Sequence, residues 1–206
     1  LSAQSERPPE ACAARASPAV ASARRVIFDD RGVLEGARFV ASPNADDRPD
    51  GEAPGLIVVH GISLPPREFG SDAVERLFTN RLDFAAHPYY ASLAGLTVSS
   101  HLFVRRSGEI IQFVPCARRA WHAGVSSWRG RERCNDYSVG IELEGADDVP
   151  YLEAQYLQLA RLVAALRCRY PIADVVGHED IAPGRKSDPG SAFDWAHLRD
   201  RLDSYA

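Results

Sequence analysis

The chain has no basic excess. Its 206 residues carry 24 Lys plus Arg against 28 Asp plus Glu, a formal net charge of −4. A non-specific nucleic-acid binder needs a basic face, so that class is excluded and no nucleic-acid partner is expected. No apolar run approaches the roughly 18 residues of a membrane-spanning helix, so no membrane partner is expected either. Cysteine is sparse: Cys12, Cys116, Cys134 and Cys168 are scattered, without a CxxC pair. That pattern reads as reduced thiols in a cytosolic protein rather than as a disulfide framework. Methionine is absent and Leu stands first, so the expectation is a natural start that is missing or altered, and a removed leader stays open. There is no internal repeat.

What is present is ordinary globular composition, 45% hydrophobic and 25% charged, at a length that makes one domain with a tail. The first 25 residues are rich in Ala, Arg, Ser and Pro, with almost no large apolar side chain. They cannot bury enough surface to offset the entropy of ordering. The expected organisation is a disordered N-terminal extension over 1–30 and one folded domain over 31–206. Ala21-Ser22-Ala23 has the form of a leader cleavage site. The stretch before it carries Glu10 and Arg15 and lacks an apolar core, so a secretory leader is not expected. The expectation is a cytoplasmic monomer.

Leu56-Ile57-Val58-Val59-His60 is apolar on both faces and bounded by Gly55 and Gly61, the pattern of a central buried strand. A short helix capped by Ser71 or Asp72 is predicted to run to about Thr79. Residues 37–55, 81–97 and 115–137 read as loops. Ser100–Arg106 and Glu109–Val114 flank Ser107-Gly108 as a hairpin. Ser138–Glu144 alternates, with Val139, Ile141 and Leu143 on one face and Glu142 on the other. Leu152, Tyr156, Leu159, Val163 and Leu166 form the apolar stripe of a helix over about 152–168, stopped by Pro171. Asp174–Gly177 reads as a strand ending at His178, and Trp195–Leu202 as a short helix. The predicted fold class is α/β, a mixed central β-sheet flanked by helices.

His60 and His178 stand at strand ends, and Asp188 follows ten residues after His178. Two imidazoles and one carboxylate suit a three-ligand zinc site with a fourth position for water. The same residues also suit ordinary loop positions, with Asp188 a turn former before Pro189. Glu142 lies either on an exposed edge strand or in a cleft, where it would serve as a general base. Lys186 suits either oxyanion stabilisation or a solvated loop charge. His122, beside Trp121, is placed to line a cleft; His101 reads as structural, His87 as loop packing and His197 as surface. Tyr89, Tyr90, Trp121 and Trp128 lie in long loops, to stack on sugar faces or to pack the loops down.

Four segments carry a closer likeness: LIVVHGISLPPREFG, HPYYASLAGLTVSSHLFVRRSGEIIQFVP, RAWHAGVSSWRGRERCNDYSVGIELEG and GHEDIAPGRKSDPGSAFDW. Together they resemble the AmpD-type family of zinc-dependent 1,6-anhydro-N-acetylmuramoyl-L-alanine amidases, over about residues 31 to 203. The resemblance implies the peptidoglycan-recognition-protein-like fold, a Zn²⁺ cofactor and His60, His178 and Asp188 as its ligands. It implies Glu142 as general base and Lys186 as stabiliser of the tetrahedral intermediate. Substrate contacts are implied at Trp121, Arg133 and Ala182, with Tyr89 added as a cleft aromatic. Two positions depart from the family pattern: Gly61 where Asn is frequent, and Thr97 where an Arg is found.

The implied reaction is hydrolysis of the amide between the lactyl group of N-acetylmuramic acid and L-Ala in small muropeptides, in cell-wall recycling. Two other classes are kept beside it. A non-catalytic muropeptide-binding module would lack a ligand residue, and all three are present. An exported autolysin would carry a leader, and none is recognisable.

Overall fold

A computed structural model describes residues 26–205; the expected disorder of residues 1–25 lies outside them. The strands, in chain order, are β1 (Arg38–Phe39), β2 (Ala45–Asp46), β3 (Leu56–Ile62), β4 (Leu102–Val104), β5 (Ile110–Gln112), β6 (Arg119–Ala120), β7 (Ser127–Trp128), β8 (Arg131–Glu132), β9 (Ser138–Glu144) and β10 (Asp174–Gly177). The helices are α1 (Ala73–Phe78), α2 (Pro88–Ala91), α3 (Glu153–Arg169), α4 (His178–Ile181) and α5 (Trp195–Asp203). Six strands form one sheet in the order β1-β5-β4-β9-β3-β10. Its centre, from β4 to β10, is parallel, and β5 runs antiparallel to β4. The mixed sheet of the sequence reading is therefore present.

Alternation along β3 and β9 divides the molecule. Ile57, Val59, Val139, Ile141 and Leu143 share one core with Tyr156, Leu159, Val163 and Leu166 of α3. The opposite face carries His60 and Glu142. Parallel central strands are buried on both sides, and β9 is buried throughout. An edge position for Glu142 is thereby excluded. The predicted stripe of α3 holds except at Leu152, which is the N-cap and is exposed. The side-chain carbonyl of Gln155 accepts from the Leu152 N–H at 3.1 Å, one half of a reciprocal cap. Tyr170 closes the helix in an extended conformation, as the residue before a proline must.

Several local expectations are revised. Val26–Asp30, assigned above to the extension, pack on the domain: Phe28 bridges Leu34 and is buried in the main core. Apolar side chains in a short segment found a face that composition alone does not reveal. The three loop regions also contain short elements, β1 and β2, α2, and β6 to β8. Asp72 does occupy the N-cap of α1, but without a capping bond; its carboxylate accepts from Arg76 Nε at 2.8 Å instead. Cys116 and Cys134 are free and buried, whereas Cys168 is disulfide-bonded, so the expectation of reduced thiols does not hold for all four. Among the described residues no helix is long and apolar enough to cross a membrane.

Candidate active site

The site is built where β3, β9 and β10 end. His60 sits near the end of β3, and the register places it beside Glu142 of β9. His178 follows β10 directly as the first residue of α4. The chain then turns through residues 182–187 and returns, and the Glu179 N–H donates to the Asp188 carbonyl at 3.0 Å. That contact seats the Asp188 side chain against both imidazoles.

The three candidate ligands converge. His60 Nδ1 and His178 Nδ1 are 2.9 Å apart, and Asp188 Oδ2 is 3.2 Å from the first and 3.1 Å from the second. Bonds of about 2.0–2.1 Å in a tetrahedral zinc site place ligand atoms about 3.3 Å apart, and catalytic sites use three protein ligands. The donor set and its spacing fit zinc. Burial pulls the His60 imidazole down to about 4, His178 and Lys186 acting the same way against the Asp188 contact. The ring is therefore neutral, the form that ligates a metal. Burial opposes a charge on Asp188, but its close contacts with the His178 and His60 imidazoles outweigh it and hold its carboxyl well below the usual range.

Glu142 is buried, and its Oε2 has no hydrogen-bond partner among the described residues. Burial pushes its carboxyl well above the usual glutamate value; Asp188 adds to the shift and Lys186 opposes it. A buried unpartnered acceptor is rare and calls for an explanation, and this one belongs to a residue that lines the cleft. Lys186 is exposed on the cleft wall, with no ion pair among the described residues. It is the only lysine in the chain; the other 23 basic residues are arginine. A flexible, compact ammonium is not interchangeable with a guanidinium.

A cleft of about 680 Å³ joins these groups. Tyr89, Thr97, Trp121, His122 and Asn135 line it together with His60, Glu142, His178, Lys186 and Asp188. Two expected substrate contacts are absent from this wall. Arg133 is exposed and pairs with Asp136 at 3.1 Å. Ala182 is buried, and its carbonyl accepts the N–H of Arg185 and of Lys186, both at 3.1 Å; it shapes the loop that carries Lys186. Of the loop aromatics, Tyr90 donates to the Leu64 carbonyl at 3.2 Å and packs beside α1. Trp128 donates to Asp174 at 3.0 Å. Both hold loops down.

Sequence reasoning did not find Tyr151 or the role of Asn135. Tyr151 lies against Gly61 and Gly145, where any Cβ would meet its ring or hydroxyl within 2.3 Å. Its hydroxyl donates to the Pro189 carbonyl at 3.0 Å, next to Asp188. The departure at Gly61 thus makes room for a tyrosine that braces a ligand loop. Asn135 Oδ1 accepts from the N–H groups of His122 and Ala123 at 3.1 and 2.8 Å. The available signal was glycine inside or beside strands, which marks close approach by another group.

Fold and site together define a cleft near the strand ends of a mixed sheet, with a buried carboxyl beside a His-His-Asp group that could hold a metal ion. The family model for N-acetylmuramoyl-L-alanine amidase matches residues 50–191. The chain is 58% identical over 172 residues to the 1,6-anhydro-N-acetylmuramyl-L-alanine amidase AmpD of Citrobacter freundii, covering 82% of this chain and 92% of that protein. It is 57% identical to the AmpD of Escherichia coli K12 over 172 residues, covering 82% and 94%. A crystal structure of a selenomethionine AmpD derivative superimposes with a TM-score of 0.83 at 57% identity, covering 85% of this chain and 99% of that one. Escherichia coli AmiD in complex with anhydro-N-acetylmuramic acid-L-Ala-D-gamma-Glu-L-Lys superimposes with a TM-score of 0.53 at 32% identity, covering 85% and 65%. The chain belongs to the N-acetylmuramoyl-L-alanine amidase family, and it is an amidase.

Proposed function

We propose that the protein cleaves the amide between 1,6-anhydro-N-acetylmuramic acid and L-Ala in soluble muropeptides, as a step of cell-wall recycling. The observation that carries this reading is the convergence of His60, His178 and Asp188 beside an unpartnered Glu142 in one cleft. His60, His178 and Asp188 would hold one Zn²⁺, which supplies Lewis-acid polarisation of an amide carbonyl and acidification of a water.

Glu142 takes the proton of the attacking water. Burial raises its proton affinity, which strengthens it as a proton acceptor. The same carboxyl then returns the proton to the departing amine of L-Ala. Lys186 reaches over the cleft and neutralises the charge that builds on the carbonyl oxygen. Trp121 and Tyr89 present ring faces to the sugar end of the substrate. Arg133, exposed beyond the lining, is assigned to a stem-peptide carboxylate, which a planar guanidinium pairs well. Ala182 keeps its place in the substrate set through the loop it shapes.

The catalytic domain of this reading runs from residue 31, with Val26–Asp30 packed on it. It acts as a cytoplasmic monomer on soluble fragments. The test is kcat/KM on anhydro-muramyl tripeptide, reducing muramyl tripeptide and purified sacculi, with zinc measured in the purified protein. Preference for the anhydro compound and about one zinc per chain are expected. Equal or better turnover of sacculi would move the protein to the exported-autolysin reading.

A further inference from the structure

An imidazole offers a lone pair from one nitrogen only when its proton sits on the other, and outer partners decide which. For His60 three groups in series decide it. Ser138 Oγ lies 2.6 Å from the Cys134 carbonyl oxygen. A carbonyl only accepts, so the hydroxyl hydrogen is committed there. Ser138 Oγ also lies 3.1 Å from His122 Nε2, and toward that atom it can only accept. His122 Nε2 therefore carries a hydrogen. His122 is buried, with the His60 and His101 rings at 5.0 and 5.6 Å and, among the described residues, no carboxylate paired with it. A neutral ring with hydrogen on Nε2 has a bare Nδ1. That Nδ1 is 2.9 Å from His60 Nε2, which must donate. His60 Nδ1, the atom facing His178 and Asp188, is left with its lone pair free.

We propose that His122 is a positioning residue for the metal site: it fixes His60 in the Nε2–H form and aims Nδ1 at the metal. The inference rests on the metal-site reading of His60, His178 and Asp188. The surroundings are built around it. A Cβ at Gly140 would lie 2.5 Å from His122 Cγ, so the ring lies over a strand that carries no side chain there. Asn135 Oδ1 pins the backbone of His122 and Ala123. The Ala123 carbonyl is 3.3 Å from His178 Nε2, so the same segment orients the second imidazole.

The experiment has two arms. Zinc affinity is measured by chelator competition for the native enzyme, His122→Phe, His122→Asn and Ser138→Ala. His122→Phe is expected to lose about 10- to 100-fold in affinity, the usual effect of removing an outer partner. His122→Asn, which restores an acceptor near Nδ1, is expected to recover part of it, and Ser138→Ala to lose less than His122→Phe. Affinity within twofold of native in folded His122→Phe would overturn the proposal. If that variant does not fold, long-range proton–nitrogen spectra of the native zinc enzyme decide. Hydrogen on Nε2 of both His122 and His60 is expected, and hydrogen on His122 Nδ1 would overturn it. A native protein that binds no zinc would defeat the underlying metal-site reading, a separate result.

Discussion

His60 and Glu142 are register partners on the adjacent parallel strands β3 and β9, so their side chains leave the sheet side by side on one face. One is a candidate ligand and the other a candidate base. Their spacing is set by the backbone ladder between two central strands, buried at these positions, rather than by a loop. Residues fixed in this way hold their geometry without being ordered by the substrate.

Replacement of Glu142 by Gln keeps the shape and removes the base. A rate loss of about 10²- to 10⁴-fold with zinc retained is expected, the usual worth of a positioned general base. A near-native rate would mean that Glu142 has no part in the chemistry.

The same substitution has a stability consequence with a defined sign. The folded state holds the Glu142 proton more tightly than the unfolded chain does. Below the ordinary glutamate range both states are protonated and nothing is lost. As pH rises through that range the unfolded chain ionises first, so stability falls toward the raised folded-state value. Metal-free Glu142→Gln should therefore melt higher than the metal-free native protein at pH 7, with the gap closing near pH 4. Melts at both pH values check this; a lower melting temperature at pH 7 would contradict the burial argument.

Each of His60→Ala, His178→Ala and Asp188→Ala should lose zinc and activity together. Zinc that binds only the folded state also raises its stability by linkage. Added zinc should raise the melting temperature of the native protein and leave the three variants unmoved. Full zinc occupancy in all three would sink the ligand assignment.

Lys186→Ala should lower kcat more than it raises KM, because charge on the carbonyl oxygen is greatest in the transition state. As the only lysine, Lys186 can also be reached by chemistry. Reductive methylation should alter one side chain, and bound substrate should protect it. An effect confined to KM would reassign the residue to substrate binding.

Gly61→Ala places a methyl 2.2 Å from the Tyr151 hydroxyl. Overpacking of this kind costs about 1–3 kcal/mol. Tyr151→Phe removes that oxygen and leaves the next ring atom at 3.5 Å, so Gly61→Ala should be nearly neutral when combined with Tyr151→Phe. Denaturant unfolding of the native protein, the two single variants and the double variant measures the coupling. Additive effects would show that Tyr151 does not dictate the glycine.

The sequence by itself determined the local elements and the identity of the chemistry. Period two in Ser138–Glu144 and the stripe from Tyr156 to Leu166 were legible because both are properties of neighbouring residues. So were the position of His178 directly after its strand and the motif around Lys186 and Asp188, whereas His60, read as the last residue of its strand, lies two residues before its end. Only the tertiary structure decided what distant segments do to one another. It set Glu142 beside His60 through strand order and drew Asp188 onto two imidazoles. It laid His122 over Gly140 and placed Tyr151 against Gly61. It left Arg133 on Asp136 and outside the cleft lining. The physical reason is that these contacts join residues far apart in the chain, where spacing carries no information. They are fixed by sheet register and close packing, which form only when the whole domain folds.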